Sequence, residues 1–224
     1  GIITLRLMTG AALSGVYPPV VKLIATWFQK GRGIAMGIII GALTVGSATP
    51  HLFRALAAEA NWMVVIWASS LTTFSAGLIF LFCISEGPFA FIRTRFDPLQ
   101  IIQVLRNKSL TLVNIGYVGH MWELYAMWAW ILTFARFSQQ SFEVFPFGAP
   151  EYFSFLIISI GAVGCVVAGH LSDVYGRCYT TALLMLVSGI CAFSIGLLVN
   201  TLPLLFTGVA LLWGMTIAAD SGQF

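Results

Sequence analysis

Long apolar runs separated by short polar breaks dominate the chain. A helix that crosses a bilayer needs about 20 mostly apolar residues, and seven stretches satisfy this: Ile2 to Thr26, Ile34 to Leu56, Trp62 to Ser85, Leu110 to Phe137, Tyr152 to Leu171, Tyr179 to Asn200 and Leu202 to Ala219. Runs such as Leu183-Leu184-Met185-Leu186-Val187 do not alternate, which excludes the ~10-residue alternating strands of a membrane barrel. The pattern therefore predicts an all-α polytopic membrane protein. Two spans carry internal breaks, Tyr17-Pro18-Pro19 and Pro50-His51. Proline there interrupts the hydrogen-bond ladder and allows bending.

Composition supports the same class. Of 224 residues, 59% are hydrophobic and 8% charged, against roughly 25% charged in a soluble domain, so there is too little polar surface to cover a globule in water. The formal net charge of +3 comes without a basic run, which argues against a nucleic-acid partner. Cys83, Cys165, Cys178 and Cys191 form no CxxC pair and read as small hydrophobes in or beside spans. No phosphate-binding glycine loop and no metal-ligand spacing is present, so neither a cofactor nor a metal is expected.

The placement of basic residues sets direction, because cytoplasmic loops collect Lys and Arg. One side holds Lys22, Lys30, Arg32, Arg93, Arg95, Arg106, Lys108 and Arg177; the other holds only Arg54 and Arg136, with Arg6 inside the first span. The richer side is cytoplasmic, so the first span runs inward. That direction and the abrupt termini lead us to expect a segment of a longer protein. The longest loop, Glu86 to Ser109, contains Gly87-Pro88 and Asp97-Pro98, and then apolar positions 99, 101, 102, 104 and 105. This spacing predicts a short interfacial helix in a cytoplasmic linker, which divides the chain into 1–85 (three spans), 86–109 (linker) and 110–224 (four spans). Thr9-Gly10-Ala11-Ala12-Leu13 recurs as Thr207-Gly208-Val209-Ala210-Leu211, six spans apart and in the same direction, as parallel transporter repeats do.

Gly169-His170-Leu171-Ser172-Asp173-Val174-Tyr175-Gly176-Arg177 resembles the G-x-L-x-D-x-x-G-R loop signature of major facilitator superfamily transporters. Arg6-Leu7-Met8-Thr9-Gly10 is similar to the arginine-plus-glycine pattern of that family's fourth helix, and Gly33, Gly37, Gly41 and Gly46 to its glycine-rich fifth helix. The resemblance implies helices four to ten of a twelve-helix bundle, with the long loop as the family's central linker. It implies a secondary active transporter that rocks two bundles around a central site, and not an enzyme. The antiporter core G-x-x-x-G-P-x-x-G-G is not reproduced, since Gly41 is followed by Ala42-Leu43-Thr44-Val45-Gly46, which leaves symport or uptake open. In the loop signature Cys178 replaces a commonly basic residue.

Ionisable groups inside spans cost at least ~2.5 kcal/mol each on insertion scales and call for a partner or a function. Arg6 is a candidate for gripping an anionic substrate or a coupling carboxylate, or else a structural partner of backbone carbonyls. Glu123 and His120, three residues apart on one face, are candidates for binding substrate or carrying a coupling proton, or for holding two helices together. Tyr17 and Thr44 are candidate cavity residues. Lys22 and Asp220 occupy equivalent repeat positions and are candidate partners in a cytoplasmic gate, to which Gly169, Asp173, Gly176 and Arg177 also belong. Gly33, Gly37, Gly41 and Gly46 are candidates for close helix packing. His51 and His170 lie near span ends and read as interfacial. The expected partners are a small-molecule substrate, anionic by analogy with the family's anion importers, together with protons and lipid; the expected location is a bacterial inner membrane. The rivals are a seven-helix receptor or light-driven pump, or an intramembrane enzyme. A retinal protein needs a lysine in its last span, and the lysines are Lys22, Lys30 and Lys108 only.

Overall fold

The computed structural model describes residues 1–28, 30–56, 62–89, 103, 106–143, 145–199 and 202–222. Among them every regular element is helical: α1 (Ile2–Ser14), α2 (Tyr17–Trp27), α3 (Arg32–Leu56), α4 (Trp62–Cys83), α5 (Lys108–Gln139), α6 (Pro150–Ser159), α7 (Gly161–Tyr175), α8 (Arg177–Ile195) and α9 (Pro203–Ala219). Short 3-10 turns follow α8 (Gly196–Leu198) and α9 (Asp220–Gly222). Six segments are long and apolar enough to cross a membrane, namely Ile3–Trp27, Arg32–Leu56, Met63–Cys83, Pro150–Tyr175, Arg177–Leu198 and Pro203–Gly222. The remaining expected span is α5, whose 32 residues would rise about 48 Å. Asn114, His120, Glu123 and Arg136 make it less apolar than the rest.

Local chemistry sets the breaks. The first expected span is two helices, because Pro18 and Pro19 lack the N–H groups that would continue α1, and α2 restarts with proline in its first turn. In contrast α3 runs through Pro50 without ending. The fifth span pauses at Ile160, which joins α6 to α7 through a tight turn in which Val163 N–H donates to the Ile160 carbonyl at 3.0 Å. Gly176, at φ +88°, separates α7 from α8 in a conformation that glycine adopts without steric cost. Asn107 caps α5, its side chain accepting from Ser109 N–H at 3.1 Å and Leu110 N–H at 3.3 Å. Of the amphipathic stretch expected at 99–106, only Gln103 and Arg106 are described, both helical; the rest lies outside the described residues.

The packing centre is α3 against α6 and α7, with α9 closing on α7 and α8, and α5 on α6. Glycines allow the close approach. A methyl at Gly37 would overlap the Cys165 carbonyl, one at Gly33 the Gly169 carbonyl, and one at Gly41 would crowd Ala162. A second seam joins α7 to α9, where Gly164 lies under the Met215 carbonyl and Gly161 against Gly214 and Ala218. Such contacts let backbones approach where lipid gives no hydrophobic drive for association. Gly46 does not belong to the seam: a methyl there would meet nothing within 4 Å. Phe153 and Phe206, both fully buried, stack at 5.6 Å beside Phe142 and Phe145, near the end of the bundle where Arg136 Nη2 bonds Glu151 Oε1 at 2.6 Å. Along α1 and α4 apolar side chains such as Leu5, Leu7, Leu71 and Phe82 stand exposed, as suits helices facing hydrocarbon.

Candidate functional site

The polar centre of the bundle joins residues a hundred positions apart. His120 on α5 places Nδ1 3.0 Å from Asp220 Oδ1, and the two side chains are 1% and 2% exposed. The other ring nitrogen, Nε2, lies 2.8 Å from Ser221 Oγ. Neither Asp220 oxygen has a hydrogen-bond partner among the described residues, so the contact is a close approach and not an aligned hydrogen bond. Around it stand Cys165, whose thiol bonds the Ala218 carbonyl at 3.2 Å, Tyr117, whose ring centroid is 6.2 Å from that of His120, and Ile40 and Met36 of α3, which approach Gly222. Removing either side chain from so dry a place would leave the other without compensation.

Three residues further along α5, Glu123 faces α8, and Ser188 Oγ donates to its Oε1 at 2.6 Å. Glu123 opens onto a groove of about 520 Å³ between α5, α8 and α9, whose walls include Trp122, Met127, Trp130, Phe134 and Trp213. His120 and Glu123 thus share one helix but look toward different neighbours.

The sequence of this bundle decides its kinship: a family-wide description, Major Facilitator Superfamily, matches residues 1–219. The chain belongs to the Major Facilitator Superfamily. Family and apolar helices together make it an integral, multi-pass membrane protein. It is similar to the "MFS-type transporter pytF" of Aspergillus terreus (strain NIH 2624 / FGSC A1156), 26% identical over 184 residues. That alignment covers 79% of this chain and 58% of the relative, so the chain spans little more than half of that protein's length. No solved structure matches it. The relative is fungal, which gives no support to a bacterial inner membrane.

Within this superfamily member the signature loop has a definite geometry. Asp173, exposed at the end of α7, accepts from Gly33 N–H at 3.3 Å, placing a carboxylate at the amino end of α3 where the helix dipole favours it. Gly169 meets the Gly33 carbonyl. Gly176 N–H donates to the Ser172 carbonyl at 3.0 Å, and Arg177 begins α8, exposed. His170 is exposed and His51 half-buried in α3. Thr44 lies in the α3–α7 seam instead of a cavity: it is 1% exposed, near Gly161, with its hydroxyl on the Gly41 carbonyl at 2.7 Å. Lys22 is exposed and does not pair with Asp220, which the fold gives to His120. The side chains of Arg6 and Tyr17 lie outside the described residues. Ser188 and Ser221 escaped sequence reasoning because a lone serine in an apolar span carries no periodic signal. Only the acids and imidazole they approach give them meaning.

Proposed function

We propose that this chain carries the coupling machinery of a proton-coupled secondary transporter working by alternating access, with His120 and Asp220 as the proton-bearing pair and Glu123 facing the solute. The observation that carries this reading is the buried His120–Asp220 pair, at 3.0 Å. The pair ties α5 to the turn after α9, and that turn rests on α3 and α7. Gain or loss of one proton there changes the attraction between elements that must separate when access alternates. The facing groups are Tyr117, Cys165 and Ser221, with Glu123 one turn away. The expectation of an anionic solute rested on Arg6 and the glycine-rich second span, by analogy with anion importers, and draws no support from Glu123 and Asp220, both acidic. A plasma membrane with a proton gradient would supply the driving force.

The test uses the complete gene product in liposomes with an imposed pH gradient, screened against organic anions and cations with a lumenal pH dye. We expect solute-dependent proton movement, and in Asp220→Asn a loss of gradient-driven accumulation of at least tenfold, while solute exchange at equal pH persists. Unchanged gradient-driven accumulation in Asp220→Asn would remove the pair from coupling.

A further inference from the structure

We infer that the groove between α5, α8 and α9 is a binding site for an organic cation with an apolar or aromatic body. This deepens the transporter reading above and rests on it, because it names the solute class that Glu123 faces. Glu123 stands at the centre of α5, with residues 108–122 before it and 124–139 after it, hence near mid-membrane. There a carboxylate needs compensation. Among the described residues its hydrogen bond comes from Ser188 alone, and no ion pair reaches it. The groove supplies no basic side chain of its own, as its wall is otherwise apolar and aromatic.

Three tryptophans, Trp122, Trp130 and Trp213, share that wall with the carboxylate. Indole faces attract cations through the ring quadrupole, more strongly once water is excluded, and they repel anions by the same argument. A volume of about 520 Å³ falls in the range of small-molecule sites, roughly 300–1,000 Å³, which are mostly apolar with few polar groups. The indole nitrogen of Trp213 is buried without an acceptor among the described residues, so the wall also holds an unused donor. Charge, aromatic faces and size therefore select one chemistry: a monovalent ammonium or phosphonium centre on an apolar body.

Two probes of nearly the same shape and opposite charge decide the matter, tetraphenylphosphonium and tetraphenylborate. Binding of each to the complete gene product in detergent is measured by equilibrium dialysis against protein-free micelles. The phosphonium should bind saturably and the borate should not. Glu123→Gln should weaken phosphonium binding at least about tenfold, Glu123→Asp should retain most of it, and Trp130→Leu should weaken it several-fold. Equal or tighter borate binding, or phosphonium binding indifferent to both Glu123→Gln and Trp130→Leu, would overturn the inference. If Glu123→Gln does not yield folded protein, Trp130→Leu and the borate comparison decide alone. Because binding is read without a gradient, a transporter that fails to couple protons still reports on this site. Saturable phosphonium binding without gradient-driven transport would thus reject the coupling reading and keep the cation site.

Discussion

His120 and Asp220 respond differently to removal, and the difference is a test of the pair. Asp220→Asn leaves the imidazole beside Ser221, whereas His120→Ala leaves a carboxylate buried with no hydrogen-bond partner among the described residues. Removing one partner of a buried pair costs about 3–5 kcal/mol when the other is left uncompensated. We therefore expect thermal unfolding in detergent to drop clearly more for His120→Ala than for Asp220→Asn. Equal losses would mean that the carboxylate left behind by His120→Ala is compensated in another way. Phe153 gives a calibration for such measurements: it is fully buried against Phe145 and Phe206, and Phe153→Ala should cost about 3–5 kcal/mol.

Between elements, the glycine seams govern how closely α3, α7 and α9 pack. Leucine at Gly37 or Gly164 cannot be placed without moving a carbonyl of the facing helix, and overpacking of this kind costs about 1–3 kcal/mol. Gly46→Ala meets open space and should be neutral or gain up to about 1 kcal/mol from helix propensity. Thermal stability of the three variants side by side checks this, and an equal loss in G46A would refute the seam. The reason Gly46 misled is angular. Positions 33, 37 and 41 advance by four, about 40° beyond a full turn each, but five further residues swing Gly46 about 140° off that face. The stripe continues instead through Thr44 and Ala48, both buried, which explains why Thr44 sits in the seam. Asp173 belongs to the same contact, and Asp173→Asn, by removing charge from the amino end of α3, should destabilise it by about 1 kcal/mol or less.

For the whole molecule, the direction read from basic residues is open to labelling. A membrane-impermeant maleimide added to intact cells should spare Cys178, exposed at the start of α8, in a variant that keeps no other cysteine. It should label S141C, placed after α5 in a cysteine-free background. The reverse pattern would invert the topology.

The sequence by itself determined the class and carried the expectation of direction. Apolar runs of bilayer length and the bias of Lys and Arg are local or additive properties that need no knowledge of neighbours, and the Gly169 to Arg177 loop carries its family in consecutive residues. It also singled out His120, Glu123 and Asp220, since any ionisable group in hydrocarbon stands out. Which groups meet was decided only in three dimensions. The internal repeat matched Asp220 with Lys22, but the rotation of α9 and its docking on α7 bury Asp220 against α5, and Lys22 stays exposed. Helix rotation and choice of neighbour follow from packing summed over whole faces, which one strip of sequence does not contain. For the same reason the tryptophan-walled groove at Glu123, assembled from three helices, became visible only once they were packed together.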